Sequence, residues 1–480
     1  MKALAILFGA GFTLITCAAA GALLLQGLRV RLYREEERLF AFLSGAAIVS
    51  TLVFLLTSMS QARTASFLLM GAVLIALAWW KGAWRSTSEK LPPLPRFWQR
   101  LFWSVYCIYA IIYFFNAMAP EHSPDGSTYH LGLVATYFRE HSFPRITTNM
   151  YASLSQGTEM LFLLAFAFGR HSAAAMVHFA FLLVLPLAMV SYARRLGMPA
   201  AGVCGALLVF CSPVFGIAGT SAYNDVAVAT FAFGVFYLLS IWDNERKHEL
   251  LVMVGLLCGF CYACKYTAFV AVPYALGFVL WKLIRSRQPV WRPLATVAVC
   301  AGIMMAPWLV KNWIFVANPV APFFNRFFPN PYMHIRMEEI YRTMMRRYAI
   351  ENYWRIPWEL TVRGGILQGL LGPIFLLAPI AIWALRSRVG RAILFAALVF
   401  GVSYSTNIGT RFLIPALPFI ALAMALAATS VRGGRCRAAR SSTRSRRNIA
   451  VRRVSILSSS RTWRSSSAST NRLTSASFSC

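Results

Sequence analysis

The chain has 480 residues, of which 58% are hydrophobic and only 13% are charged, and its formal net charge is +31. A soluble protein of this length needs a polar exterior that this composition does not supply, so soluble enzymes and soluble binding domains are excluded. Repeated apolar runs of about twenty residues predict an all-α polytopic membrane protein instead.

Thirteen apolar segments predict transmembrane helices. The first follows a single lysine and precedes a basic loop and another apolar run, so we interpret it as a retained helix and not as a signal peptide. The segments are 3–28, 39–60, 64–84, 102–118, 173–192, 200–218, 226–242, 250–264, 266–283, 294–315, 365–385, 392–404 and 411–429. A further segment, 155–169, is short for a span and begins with polar residues, which predicts an interfacial or re-entrant helix.

The lysine and arginine distribution predicts the orientation of these helices. If 155–169 does not cross the membrane, every basic connector lies on one side, and short basic loops are typically cytoplasmic. The connectors are 29–38, 81–100, 194–195, 246–247, 282–292 and 386–391. The loop around Asp125, the corners at Asp225 and Lys265, and the segment 316–364 then share the outer face. We therefore expect an active site at the outer surface of the bacterial plasma (inner) membrane.

The predicted organisation has five parts. They are accessory N-terminal helices (1–101), a central transmembrane module (102–315) with an outer loop (119–172), an extracytoplasmic segment (316–364), C-terminal helices (365–430) and a basic tail (431–480). The tail contains twelve arginines, fourteen serines and no acid. Because it has no hydrophobic period, we interpret it as disordered and not as an arm for nucleic acid or anionic lipid. We expect membrane lipids, and no nucleic acid, as partners.

The outer loop carries the first candidate catalytic residue. Asp125 lies in a Pro-Asp-Gly sequence, which predicts a tight turn with a positive φ at Gly126. An amphipathic helix is predicted over 127–140, with apolar residues able to lie on the membrane interface, namely Tyr129, Leu131, Leu133, Val134 and Tyr137. Keeping a carboxylate near hydrocarbon costs free energy, so we hypothesise that Asp125 has a functional role.

The other charged candidates lie at helix ends on the same predicted face. Asp225 begins a span, where a helix N-cap is the structural alternative. Lys265, Lys311 and Arg411 also lie at span ends, where snorkelling to the interface is the alternative for each one. Three cations facing two carboxylates would suit a phosphate leaving group. Weaker candidates for substrate binding are Tyr129, His130, Glu159 and Asn312. No HxxH, HExxH or paired CxxC pattern occurs, so we predict no metal site and no cofactor, and a divalent cation has no sequence support.

Five separated motifs resemble the GT-C superfamily of integral-membrane glycosyltransferases. They are Pro-Asp-x-x-x-Tyr-His-Leu (124–131), Tyr-x-Asp (223–225), Gly-x-x-x-x-x-Lys-Tyr-Thr (259–267), Pro-Trp-x-x-Lys-Asn-Trp with Ala-Asn-Pro-Val-x-Pro (307–322), and Thr-Arg-Phe-Leu-Ile-Pro-Ala-Leu-Pro (410–418). The likeness is nearest to the aminoarabinose, galacturonosyl and protein O-mannosyl transferase branch. It implies a catalytic base at Asp125, a second acid at Asp225, and Lys265, Lys311 and Arg411 around the donor phosphate.

The function that this resemblance implies is sugar transfer from a polyprenyl-phosphate-linked donor to an envelope lipid, glycan or protein. A transporter or flippase of a lipid-linked or amphipathic anion is the alternative, with the same carboxylates acting as proton relays. A non-catalytic envelope-assembly subunit is a third interpretation, which is favoured if Asp125 and Asp225 lie far apart.

Overall fold

The computed structural model describes residues 2–348 and 350–429, and the predicted tail 431–480 lies outside them. The chain divides into two units, Met1–Ala427 and Ala428–Cys480. Only two residues of the second unit are described, so the fold is that of the first. The described residues form helices and no strand, which confirms the predicted all-α class.

Thirteen α-helices form the framework up to residue 347. They are α1 (Lys2–Gly27), α2 (Arg34–Ser58), α3 (Thr64–Trp80), α4 (Arg96–Met118), α5 (Leu131–Glu140), α6 (Gly157–Arg195), α7 (Pro199–Phe210), α8 (Pro213–Thr220), α9 (Asp225–Glu245), α10 (Glu249–Cys264), α11 (Ala271–Arg285), α12 (Trp291–Val316) and α13 (Ile335–Arg347). Short α-helices and 3₁₀ or π turns complete the path at Gly126–His130, Met150–Ser153, Tyr266–Val270, Tyr353–Arg355, Ile356–Trp358, Glu359–Arg363, Pro373–Arg386, Val402–Ser405 and Thr410–Leu413. Two more α-helices are Arg388–Gly401 and Leu417–Thr429.

Each predicted span contains an apolar helix, but not all of these helices are long enough to cross a membrane. Within the described residues, 8 helices have the length and composition of a span, and 9 do if the bent pair α7 and α8 is one span. The pair bends by 66°, where Pro213 begins the second helix. The helices at 64–80, 249–264, 373–386 and 417–429 have only 10–17 residues.

The predicted accessory helices pack into the compact unit. A Cβ atom on Gly21 of α1 would lie 1.7 Å from the Ala41 carbonyl oxygen of α2, and one on Gly45 would lie 1.7 Å from that of Cys17. Only glycine allows two helix backbones to approach this closely, as is typical of membrane helix pairs. The pair then rests on α6, where Gly9 contacts Ala165.

Helix α6 combines two segments that the sequence analysis separates. Its 39 residues are interrupted at Arg170, where φ is 60° and ψ is −149°. The first segment is buried in the protein from Gly157 to Phe166. Helices α1 and α2 cover this segment, which argues against the interfacial helix predicted for 155–169, whereas the alternative of a re-entrant helix stays a prediction.

The loop that carries Asp125 is helical and contains no tight turn. Asp125 has φ −69° and ψ −40°, and a single π-helical turn follows it. Gly126 has no positive φ; its role is steric, because a Cβ atom would lie 2.5 Å from Ser123 Oγ and 2.6 Å from the Glu121 carboxyl carbon. The apolar residues of α5, which were predicted to face the interface, are buried inside the protein: Leu131, Leu133, Val134 and Tyr137.

Helix α9 runs through the centre of the unit and separates its two polar ends. Asp225 begins the helix and Glu245 ends it. At the Glu245 end, Arg195 binds both Glu36 and Glu245, and Lys282 binds Asp243. The basic connectors 29–38, 194–195, 246–247 and 282–292 therefore meet there, while Asp225 lies at the opposite end.

Candidate active site

Two carboxylate–cation pairs lie side by side at the Asp225 end of α9. Asp125 forms an ion pair with Arg411, and Asp225 forms one with Lys265. The Phe412 ring lies between the two cations, 4.3 Å from the Lys265 ammonium and 5.6 Å from the Arg411 guanidinium carbon. Residues from four distant parts of the chain, which the sequence analysis singled out separately, thus form one cluster.

A cavity of about 200 Å³ opens beside these pairs. Its wall includes Asp125, Lys265, Arg411 and Glu159, whereas Asp225 is 2% exposed and lies behind Lys265. Most of the remaining wall is aromatic or amide: Tyr129, Tyr151, Tyr266, Phe323, Tyr341, Tyr348, Phe412, Gln156, Asn224, Gln368 and Asn407. Aromatic faces beside hydrogen-bonding amides and charges suit a polar ligand that also has apolar faces.

The turn before α9, residues 221–224, connects the elements that form the site. The Ala222 amide donates to Glu121 Oε2 at 2.6 Å, which fixes the Asp125 loop against this corner. Asn224 Nδ2 donates to the Cys264 carbonyl at 3.0 Å and to Glu159 Oε1 at 3.3 Å. The corner therefore positions the loop, helix α6 and the end of α10 next to Lys265.

The weaker candidates have different places in this network. Tyr129 lines the cavity, and its ring stacks on Tyr151 with centroids 4.4 Å apart. His130 is buried, and its Nδ1 lies 2.5 Å from Glu159 Oε1. The His130 imidazole therefore supports Glu159, and its hydrogen bond goes there and not to Asp125. Glu159 Oε2 is buried without a hydrogen-bond partner among the described residues.

Lys311 and Asn312 lie behind the wall and do not line the cavity. The Lys311 ammonium donates to the Ala152 carbonyl at 2.8 Å, and the Asn312 amide donates to the Ser153 carbonyl at 2.7 Å. These carbonyls lie in the segment 150–153, which also contains the lining residue Tyr151. Both side chains are buried and bound to backbone, so the contacts of Lys311 with a donor phosphate and of Asn312 with substrate stay predictions that this geometry does not support.

Replacing Asn312 with alanine should destabilise the protein. The change removes the donor for the Ser153 carbonyl and a second bond to the Ala321 carbonyl at 3.3 Å. An unsatisfied buried carbonyl costs about 1–3 kcal/mol, so we expect the Tm of the detergent-solubilised protein to fall by a few degrees. Asn244→Ala is the control, because its exposed amide bonds only its own helix. Equal Tm values for wild type and Asn312→Ala would contradict this role.

Burial and charge set the protonation of the cavity groups. Burial raises the pKa of Tyr129 well above its usual value and also raises the pKa values of Tyr151 and Tyr348, so these phenols stay neutral hydrogen-bond donors. Burial lowers the pKa of Lys265, against the attraction of Asp225. The Arg411 pKa is raised despite burial, because carboxylates surround the guanidinium.

Sequence reasoning identified Tyr129 but missed the rest of the aromatic lining and the anchoring role of Glu121. Phe412 directly follows Arg411 in a motif, and Tyr266 follows Lys265. Their positions next to candidate site residues could have indicated that these two aromatic residues belong to the site. Tyr341 and Tyr348 come from α13 and its end, where nothing in the sequence indicates a common cavity. Across the described ranges, no group of three or more His, Cys, Asp or Glu side chains could hold a metal ion.

Comparison with known proteins identifies a family and a similar solved structure. A family model described as a domain of unknown function (DUF8201) matches residues 4–346. No curated protein matches the sequence. A solved structure that matches is the crystal structure of ArnT from Cupriavidus metallidurans bound to undecaprenyl phosphate, at 16% identity and a TM-score of 0.45. The match covers 69% of this chain and 60% of that chain, so this chain spans less than two thirds of that structure.

Proposed function

We propose that this chain, which belongs to the family described as a domain of unknown function (DUF8201), is a membrane glycosyltransferase. It would move a sugar from a polyprenyl-phosphate-linked donor to a hydroxyl of an envelope lipid, glycan or protein. The observation that carries this proposal is the pairing of Asp125 with Arg411 and of Asp225 with Lys265 beside one aromatic cavity. The sequence motifs that resemble GT-C glycosyltransferases include all four residues.

The reaction would break the bond between the anomeric carbon and the donor phosphate oxygen. The acceptor oxygen would form the new bond to the anomeric carbon, and its proton would pass to the Asp125 carboxylate. The leaving phosphate changes from a diester with one negative charge to a monoester with a second one. Arg411 and Lys265 would stabilise that developing charge, which is the electrostatic contribution that commonly dominates enzymatic rate enhancement.

Donor binding would also free the base. In the structure the Arg411 guanidinium is bound to Asp125. The donor diester presents two terminal oxygens and a negative charge to the guanidinium fork, as a carboxylate does, so the donor would compete with Asp125 for Arg411. Asp125 would then be available to the acceptor hydroxyl. Asp225, which lies behind Lys265, would be a positioning residue for that ammonium and would not touch substrate.

The segment 316–364 would cover the acceptor side. Tyr341, Met345 and Tyr348 reach the cavity from α13 or its end. Glu338 ties this helix to the preceding loop, where it accepts from the Asn325 amides at 3.1 and 2.9 Å. The segment is therefore held in place beside the cavity, where it would help to select the acceptor.

Purified protein incubated with candidate polyprenyl-phosphate sugars and an envelope extract should release free polyprenyl phosphate. Release should require an acceptor and should stop in heat-treated enzyme, and it is measured by mass spectrometry of the lipid fraction. No release with any of a panel of lipid-phosphate hexoses and pentoses would contradict the proposal. A protein that moves the intact donor across proteoliposome membranes without cleaving it would be a flippase instead.

The positive-inside rule supports an outward-facing site in the bacterial plasma membrane. The basic connectors meet at the Glu245 end of α9, and the two ion pairs lie at the other end. Short loops rich in lysine and arginine are typically retained in the cytoplasm. A site at the opposite end would therefore face the envelope, where acceptors of this kind are found.

A further inference from the structure

A second, larger cavity lies at the opposite end of the molecule from the proposed active site. It has a volume of about 1000 Å³ and is formed by α1, α2 and the connector after α3. Glu245, at the C-terminal end of α9, is in its wall, whereas Asp225 begins the same 21-residue helix. At 1.5 Å per residue the two sites are about 30 Å apart, so sugar transfer at the first does not use the second.

The floor of this cavity is apolar and reaches along the helices. Ala18, Ala22 and Leu25 of α1 contribute to it, as does Ala41 of α2. Ala18 precedes the end of α1 by nine residues, which corresponds to a depth of about 13 Å. Alanine side chains leave the space beside the helices open. The cavity is therefore polar at its mouth and apolar at its floor.

The rim contains three acidic side chains, and two of them already have ion-pair or hydrogen-bond partners. Glu245 binds both Arg195 and Lys247. Glu37 accepts hydrogen bonds of 2.5 Å from the Ser86 and Ser88 hydroxyls. Glu89 is the remaining acid in the wall. The acids therefore do not neutralise the whole set of basic residues that surrounds them.

Three exposed arginines remain on the rim without an acid. Arg31 precedes α2, Arg38 lies in its first turns, and Arg85 lies in the connector after α3. Within residues 2–348 and 350–429, none of the three forms an ion pair. Three guanidinium groups from two connectors, 29–38 and 81–100, thus surround one opening. Guanidinium groups bind phosphate by paired hydrogen bonds, and each basic group near a membrane surface contributes about 1 kcal/mol of attraction to anionic lipid.

The walls of the cavity are fixed by buried and backbone contacts. Glu36 accepts from Arg195 at 2.7 Å and from the Tyr237 hydroxyl at 2.5 Å. Arg194 donates to the Leu91 and Pro92 carbonyls at 2.8 Å each. The connector that carries Arg85 is therefore attached to the helical core at its far end, and the opening does not depend on a free loop.

We propose that this cavity binds a negatively charged phosphate group, with the arginines at residues 31, 38 and 85 as its ligands. The phosphate could belong to the headgroup of an anionic lipid in the adjoining leaflet, whose chain would lie on the alanine floor, or to a free phosphate ion. Both sources share the chemistry that the rim recognises. The proposal does not depend on sugar transfer at the other end.

The test compares wild-type protein with the triple variant Arg31→Gln, Arg38→Gln, Arg85→Gln in detergent. Binding of dioleoyl phosphatidylglycerol, dioleoyl phosphatidylcholine and inorganic phosphate is measured by native mass spectrometry and by thermal shift. We expect wild type to bind phosphatidylglycerol over phosphatidylcholine, and the triple variant to bind it about tenfold or more weakly. The control triple Arg63→Gln, Arg326→Gln, Arg336→Gln removes the same charge from exposed positions outside both cavities and should bind like wild type.

Each arm has a deciding outcome. Phosphatidylglycerol binding that inorganic phosphate does not displace identifies a lipid headgroup as the ligand, and displacement by millimolar phosphate identifies the free ion. Either result supports the site if the triple variant alone loses it. Equal binding of both lipids to wild type, or equal losses in the two triple variants, would overturn the proposal, because chain insertion or net charge would then explain the binding. Unchanged Tm of the unliganded triple variant confirms that it is folded.

Discussion

Replacing Asp125 with asparagine is expected to reduce the rate of sugar transfer at least about a hundredfold. Asparagine keeps the shape of the side chain, but its amide cannot take the proton of the acceptor hydroxyl. General-base groups typically contribute 10²–10⁴-fold to a rate, about the size of loss expected here. The measurement is the initial rate of polyprenyl phosphate release by purified protein, with donor and acceptor both saturating.

The chain provides a closely matched control for this change. Its three aspartates are Asp125, Asp225 and Asp243, and all three form ion pairs. Asp243 binds Arg246 at 2.9 Å and also binds Lys282, at the end of α9 away from the cavity. Asp243→Asn therefore makes the same chemical change in the same kind of pair, and we expect its transfer rate to stay within about twofold of wild type.

A loss of folding would not explain the expected result. The Asp125 side chain is 32% exposed and that of Arg411 is 24% exposed. Ion pairs in contact with solvent contribute about 0–1 kcal/mol, so the Tm of Asp125→Asn should stay close to that of wild type. Near-normal transfer by a folded Asp125→Asn protein would exclude Asp125 as the base and would leave the proposed chemistry without an acceptor of the proton.

The charged residues of the site were predictable because charges are scarce in this sequence. An aspartate or lysine at the end of an apolar segment has few favourable places in a membrane protein, so Asp125, Asp225, Lys265 and Arg411 each indicated a functional position. Their pairing was not predictable in the same way. Which helix ends are neighbours depends on the packing of the whole bundle, and no local pattern encodes it.

Lys311 shows the limit of the same argument. It lies at a helix end between tryptophans and has the same sequence signal as Lys265. The structure turns its ammonium towards the Ala152 carbonyl, 2.8 Å away, while the Lys265 ammonium binds Asp225. The difference comes from what each helix faces after folding. A positive side chain at a helix end can bind a backbone carbonyl as well as a carboxylate.

The amphipathic pattern of residues 127–140 was ambiguous for a related reason. An apolar stripe with helical periodicity forms whether the helix rests on lipid or on protein. In the structure the stripe of α5 packs against α6, so the helix belongs to the core. The run 365–385 was ambiguous in length, because the helix begins only after Gly372 and has 14 residues, with Pro379 inside it.

Lys265→Met is expected to destabilise the protein strongly as well as to abolish transfer. Asp225 is 2% exposed and its carboxylate is bound to the Lys265 ammonium. Removing one partner of a buried ion pair leaves an uncompensated charge, which typically costs about 3–5 kcal/mol. The measurement is the Tm and the yield of monodisperse protein in detergent. Lys282→Met is the control, because Lys282 and Asp243 are 23% and 25% exposed, so the same substitution should cost less there.

The double variant Lys265→Met, Asp225→Asn separates folding from chemistry. Asparagine removes the unpaired charge, so we expect most of the lost stability to return, with a coupling free energy of about 1–3 kcal/mol between the two positions. Transfer should stay at the low level of Lys265→Met, because the cation that stabilises the leaving phosphate is still absent. If the double variant recovered both stability and transfer, the only role of Lys265 would be to balance the charge of Asp225. If Lys265→Met were as stable as wild type, the Asp225 carboxylate would not need the Lys265 ammonium for folding. Because Lys265 both neutralises Asp225 and faces the cavity, removing both charges should restore stability but not transfer.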